Sequence, residues 1–169
     1  MRELLLGCGS RTIKDIYLPD RGSAFNDVVR LDINSDHNPD VVWDLTQHPL
    51  PFKDCEFDEI HAYDVLEHLA YQGDFEFFFK EFTEYHRILK KDGMIFASCP
   101  SASSVWSFGD PSHKRIISKE TLVYLVQEEY QKQVGVTKMS DFRNIYKVNF
   151  KIIQAEDKNG TFYFILKKV

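Results

Sequence analysis

Five short apolar runs recur along the first hundred residues, and only one stretch between them has the length and periodicity of a helix. The runs are Glu3–Leu6, Val28–Ile33, Asp40–Leu45, Phe57–Tyr63 and Met94–Cys99. Apolar runs bounded by turn residues suit parallel strands buried on both faces. Between the fourth and fifth runs, Phe75–Leu89 reads as a helix, with Lys90-Lys91-Asp92-Gly93 as its stop. Ser118–Gln133 reads as a second helix with Ser118 as its N-cap. Near the C-terminus, Val148–Ala155 and Thr161–Lys167 flank Lys158-Asn159-Gly160, the pattern of a β-hairpin. The order predicts an α/β fold: a doubly wound, mostly parallel, seven-stranded Rossmann-like sheet with an antiparallel C-terminal hairpin.

The first half of that fold is compressed. Only Asn34–Pro39 separates the second and third strands, whereas a parallel crossover takes about a dozen residues or more. Ser10–Ala24 is broken by Pro19 and Gly22, so it is a poor helix. Helices around the first three strands are therefore expected to be reduced or missing. Sheet surface there must be covered by loops or by a partner chain.

A chain of 169 residues fits one domain, taken as residues 1–169. Its 43% hydrophobic and 28% charged content is that of an ordinary globular protein. No apolar stretch reaches the ~20 residues of a membrane span, and Gly7 and Gly9 arrive too early for a signal peptide. Three cysteines without CxxC spacing point to a reducing, cytoplasmic setting. Six scattered histidines form no HxxxH or HExxH pair, so no metal centre is expected. A net charge of −5, with no basic stripe, disfavours nucleic acid as a partner.

The sharpest local signal is Leu4–Ser10, LLLGCGS, an apolar strand meeting Gly-Cys-Gly. Glycines at a strand end let a ligand approach the backbone. With VVRLDI, VVWDL, LPFKDCEFDEI, YDVLEHL, RILKKDG and MIFASCP following in order, the chain resembles the class I S-adenosylmethionine-dependent methyltransferases. The likeness is greatest to the short ubiquinone/menaquinone-biosynthesis type. The resemblance implies S-adenosylmethionine as cofactor and S-adenosylhomocysteine as product. It assigns the methionyl end to Gly7, Cys8 and Gly9, and the ribose hydroxyls to Asp32 beside Ile33. It assigns the adenine to Asp44 and the Leu45 amide, and the ammonium to the backbone of Ala62 and Tyr63. Arg11 stands where many relatives carry a third glycine. A nicotinamide dehydrogenase fits less well, because GCGSRT has Thr12 where GxGxxG needs glycine.

Methyl transfer needs orientation above all, and a general base only for poorly ionised acceptors. Candidate catalytic residues are Asp64 and His68, placed on one face by helical spacing, and His113 in Phe108–Arg115. Cys99 reads as a buried small hydrophobe. Ser101–Ser118 and Val134–Asn149 are the loops available to close a site, carrying Trp106, Phe108, Phe142 and Tyr146. The expected partner is a small-molecule acceptor, with a homo-oligomer or partner subunit allowed. Two other functions remain open: a non-catalytic cofactor-binding subunit completed by a partner, and an RNA or protein methyltransferase.

Overall fold

The computed structural model describes all 169 residues. Seven strands form one sheet: β1 (Arg2–Leu6), β2 (Asp27–Asp32), β3 (Val41–Val42), β4 (Phe57–Tyr63), β5 (Leu89–Pro100), β6 (Phe150–Lys158) and β7 (Thr161–Lys168). Their spatial order is β3-β2-β1-β4-β5-β7-β6. β1 to β5 are parallel, and β7 runs antiparallel between β5 and β6. The chain winds outward from β1 in one direction and, from β4, in the other. The order therefore reverses between β1 and β4, which is where such sheets open a crevice for ligands.

The short crossover is real. One 3-10 turn, Ser35–His37, joins β2 to β3. β3 is cut from the expected Asp40–Leu45 to two residues, because the eight linking residues 33–40 bring the chain back only at the tip of β2. The Trp43 amide still donates to the Asp32 carbonyl at 3.0 Å.

One face of the sheet carries the main core. Helix α1 (Phe75–Ile88) is started by Asp74, whose side chain accepts from the Phe77 amide. It buries Phe78, Phe79, Phe82, Tyr85 and Ile88, spaced three or four apart. These pack on Leu4, Leu6, Leu31, Ile60, Ala62, Ile95 and Ala97, the residues of alternate register on β1, β2, β4 and β5. Truncating a buried Phe such as Phe82 to Ala in this layer costs about 3–5 kcal/mol.

Two helix boundaries differ from expectation. α1 ends at Ile88 with His86 and Arg87 in its last turn. Lys90–Gly93 belongs instead to the start of β5, with Asp92 at φ 62°. The stretch expected as one helix over Ser118–Gln133 is two, α3 (Lys119–Val123) and α4 (Gln127–Gln133); the single-turn α2 (Trp106–Gly109) precedes them. The break is fixed from outside. The Leu125 carbonyl accepts from the Phe150 amide, and the Asn149 side chain accepts from the Gln127 amide.

The opposite face has no helix from the first half of the chain. Ser10–Asn26 crosses it as an irregular strap, held by an isolated bridge between Ile13 and Ala24. Ile16, Leu18 and Phe25 lie on Leu5, Phe96 and Ile165. Beneath the strap sits a buried charge network. Lys14 Nζ donates to Glu3 Oε1 at 2.8 Å and to Glu59 Oε2 at 3.0 Å. Arg21 adds a bond to Glu59 Oε1 at 2.6 Å, and His61 Nε2 lies 3.0 Å from Glu59 Oε2. Burial pushes the Glu59 carboxyl up, but hydrogen bonds from His61, Arg21 and Lys14 outweigh it and hold the pKa down at about 2. The strap thus covers the bare face through ionic pairing as well as apolar contact.

Candidate active site

The turn after β1 is built for close approach. Gly7 has φ 56°, and a Cβ there would lie 2.5 Å from Val65 Cγ2. Gly9 has φ 47° and nothing within 4 Å of where its Cβ would stand. The first glycine is demanded by packing. The second borders open space and leaves the backbone accessible to a ligand. Cys8 between them is buried, and its amide donates to the Leu31 carbonyl at 3.0 Å.

Asp32 closes β2 beside this turn. Its Oδ2 accepts from the Gly9 amide at 2.8 Å, and its Oδ1 from the Asn34 amide at 2.9 Å. Each carboxylate oxygen keeps a lone pair for a hydroxyl donor. Ile33, next in the chain, is 67% exposed, an apolar surface at the rim. Asp44 Oδ1 accepts from the Thr46 amide and hydroxyl, while Oδ2 makes no bond within the chain. Leu45 is buried with its amide unbonded. In the β1–β4 register, Leu6 lies opposite Ala62, so the ends of Ala62 and Tyr63 flank Gly7. The Tyr63 side chain turns under the strap, its hydroxyl 2.8 Å from His61 Nδ1 and 3.1 Å from the Ile16 carbonyl.

Across the reversal point, the ends of β4 and β5 open into a cavity of about 380 Å³. Asp64, Glu67, His68, Asp110 and His113 line it, with Ser104, Trp106 and the Asn159–Thr161 hairpin turn on its far side. The three expected catalytic residues do meet here. Helical spacing is not the cause, however: Asp64 sits at φ 54° before a 3-10 turn at Leu66–His68. The loop carrying His113 is fastened to that turn. Lys114 and Arg115 amides donate to the Glu67 carbonyl, and Arg115 Nε donates to the Leu66 carbonyl at 2.8 Å. Arg115 also pairs with Glu81 on α1 at 2.7 Å.

The cavity is acidic. Burial raises the Asp64 carboxyl, opposed by the Arg11 guanidinium 3.6 Å away. Burial pushes Glu67 up to about 7. Burial, then the charge of His113, lowers His68. Neither Glu67 nor Asp110 is among the candidate catalytic residues of the sequence, although Glu67 stands in the same YDVLEHL stretch as Asp64 and His68. Glu67 gains its character only from burial, which no residue spacing announces.

The expected loop aromatics divide. Trp106, 64% exposed, lines the cavity, while Phe108, 80% exposed, is not part of its lining. Phe142 instead packs on Phe75, Phe79 and Tyr124, and Tyr146 joins the core. Val134–Asn149 therefore closes the α1 side, where a larger cavity of about 510 Å³ lies among Phe75, Phe78, Tyr124 and Met139. That cavity holds none of the strand-end residues. Cys99 is buried with its thiol pushed up by burial, as a packing residue. Glu3, Glu59 and His61 also cluster, but the Lys14 ammonium fills the cation position between the two carboxylates.

Comparison with known proteins agrees with this geometry. No curated protein matches the chain. A crystal structure of a SAM-dependent methyltransferase from Aquifex aeolicus is 14% identical, with TM-score 0.61, covering 100% of this chain and 82% of that one. One from Archaeoglobus fulgidus is 17% identical, with TM-score 0.58, covering 99% and 86%. A complex between the Haloferax volcanii Trm112 methyltransferase activator and a methyltransferase matches at 16% identity and TM-score 0.55, covering 99% and 82%. No helix is long and apolar enough to cross a membrane. Residues 4–97, more than half the chain, match the family described as a methyltransferase domain. The chain belongs to that family and has the fold of the class I S-adenosylmethionine-dependent methyltransferases.

Proposed function

We propose that this protein transfers a methyl group from S-adenosylmethionine to a small-molecule acceptor bound in the cavity beyond β4 and β5. The observation that carries this reading is adjacency. The open glycine turn and Asp32 lie directly across the sheet reversal from a polar cavity at the same edge. Gly7, Cys8 and Gly9 would hold the methionyl end, with Arg11 beside them as a counter-charge for its carboxylate. Asp32 would accept the ribose hydroxyls, Ile33 and Leu45 would face the adenine, and Asp44 Oδ2 would take its amino group. Ala62 and Tyr63 would offer backbone to the ammonium.

When bound, the cofactor supplies an electrophilic methyl on a sulfonium. The chain's task is to fix the acceptor in line with it, and positioning alone is worth several kcal/mol of barrier. Asp64 is the cavity residue next to the glycine-turn side, tied there by Arg11. It orients the acceptor and takes up its proton where the acceptor is poorly ionised. His68 and His113 form the opposite wall and set which acceptors fit. The carboxylates of Asp64 and Asp110 repel a polyanion, which favours a small acceptor over RNA.

A second reading has its own observation. Ile33 and Val42 are exposed at the β2–β3 margin, and Val105, Trp106 and Phe108 are exposed beside the cavity. A partner subunit seated on either surface would complete the site, as one structural neighbour is held by an activator. The test is formation of S-adenosylhomocysteine by the purified chain against a panel of small hydroxy, amino and carboxylic acceptors. Turnover by a monomer supports the first reading. Turnover that appears only with a co-purifying subunit supports the second.

A further inference from the structure

Glu67 poses a problem that methyl transfer alone does not solve. It is 2% exposed, and neither carboxylate oxygen has a hydrogen-bond partner. A buried carboxylate without a partner is costly unless it is protonated or meets a cation. Arg115, the buried cation of this region, donates to Glu81 and the Leu66 carbonyl; its Nη1 has no partner, and it forms no ion pair with Glu67.

Glu67 lies beside two histidines, His68 and His113. His113 Nδ1 lies 2.8 Å from the Trp106 carbonyl oxygen, a bond that only a protonated Nδ1 makes. Neutral His113 therefore presents Nε2 as an acceptor, 3.9 Å from Glu67 Oε1 and 3.9 Å from Asp110 Oδ2. His68 Nδ1 lies 3.1 Å from the Ser112 hydroxyl, which itself donates to Asp110 Oδ1 at 2.5 Å. The hydroxyl proton is spent on Asp110, so His68 Nδ1 must donate, and its Nε2 is an acceptor too. The two rings meet edge to face at 4.7 Å. Glu67, His68 and His113 bring one potential ligand atom each to within 4.8 Å of one another, and none of the three is hydrogen-bonded to another.

This is the arrangement a cation resolves. A metal-binding imidazole characteristically donates its other N–H to a carbonyl or an anchored polar group, and both histidines do so. Two imidazole nitrogens and one carboxylate suit a first-row transition ion better than Mg²⁺ or Ca²⁺, which prefer oxygen. Bonds of about 2.0–2.1 Å place tetrahedral ligands about 3.4 Å apart. The 3.9 Å between His113 Nε2 and Glu67 Oε1 needs a closing movement of about half an ångström, and a pair at the 4.8 Å limit needs about 1.4 Å. We propose that Glu67, His68 and His113 bind a divalent transition-metal ion of the Zn²⁺ or Co²⁺ type, with Asp110 Oδ2 beside it and the remaining positions open to the cavity. Such an ion would favour acceptors offering an oxygen donor near the methylated atom, a consequence that rests on the methyltransferase reading. The ion site itself does not.

The test is dialysis of the full chain against Co²⁺ alone, read by visible d–d absorption and by metal stoichiometry, with Zn²⁺ as competitor. The proposal expects one Co²⁺ per chain, displaced by Zn²⁺. In both Glu67→Gln and His113→Ala, Co²⁺ affinity should fall more than about 100-fold. Cys55→Ser, which removes the exposed thiol, should leave it unchanged. Near-ultraviolet dichroism and S-adenosylhomocysteine binding are measured on the same variants. Absence of Co²⁺ binding by the parent chain overturns the proposal, as does equal binding by folded Glu67→Gln and His113→Ala. If S-adenosylhomocysteine still binds in either case, the methyltransferase reading survives the loss of the metal.

Discussion

The Gly9 amide donates to Asp32 Oδ2 at 2.8 Å, joining the turn after β1 to the tip of β2 before any ligand arrives. Asp32→Ala removes the acceptor of both the Gly9 and Asn34 amides. The expected result is a loss of about 1–3 kcal/mol of folding stability. Amide exchange at Gly9 and Asn34 should accelerate, while exchange in α1 is unchanged. Urea melts and hydrogen exchange of the ligand-free chain measure both.

The two glycines of the turn should separate under substitution. Gly7→Ala drives a Cβ to 2.5 Å from Val65 and keeps a strained φ, so a destabilisation of about 2–4 kcal/mol is expected. Gly9→Ala pays only for its φ, about 1 kcal/mol. Its Cβ enters the open space assigned to the cofactor, so its larger effect falls on cofactor affinity. Denaturation midpoints beside binding constants for both variants check the division.

Lys14 is the only cation bonded to both Glu3 and Glu59. Lys14→Met leaves two buried carboxylates without it, and a loss of about 3–5 kcal/mol is expected. Lys14→Met combined with Glu3→Gln and Glu59→Gln should recover part of that loss. Thermal melts of the single and triple variants test it.

Glu59 sets part of the acid limb of stability. Its folded pKa is held at about 2, against an ordinary value of 4.5. A depressed carboxyl contributes stability that is complete above pH 4.5 and is lost as pH falls from 4.5 towards 2. Glu59→Gln should lower stability at neutral pH and flatten the stability curve across that window. An unchanged slope between those pH values would contradict the assignment.

Thiol chemistry reports the packing of both faces. Cys8 and Cys99 are buried, and Cys55 is exposed. A maleimide should label one thiol per native chain, at Cys55, and all three after unfolding. Fast native labelling of Cys99 would mean that the β5 end opens beneath the 101–118 loop.

The strands were legible because their apolar runs are bounded by turns. The sequence over-extends β3 because VVWDL looks like a strand, whereas the eight-residue link over 33–40 returns only two residues to the tip of β2. The helix at Ser118–Gln133 was read as continuous because its break is imposed by Phe150 and Asn149, far along the chain. The strap's role was invisible, since Lys14 has no periodic neighbours and acquires its meaning only above Glu3 and Glu59. In the site, Asp64, His68 and His113 were visible as residue types near strand ends. Glu67 stands in the same YDVLEHL stretch, but its burial is not legible there, because the loop whose Lys114 and Arg115 amides bond its carbonyl comes from far along the chain.

The central claim is that the Gly7–Gly9 turn and Asp32 hold S-adenosylmethionine, and titration calorimetry of the purified chain tests it most directly. The account predicts micromolar binding of S-adenosylmethionine and S-adenosylhomocysteine at one site per chain. Asp32→Ala should weaken that binding at least tenfold, while Glu67→Gln leaves it intact. Absence of binding to the well-folded chain, or equal binding by Asp32→Ala, would contradict it.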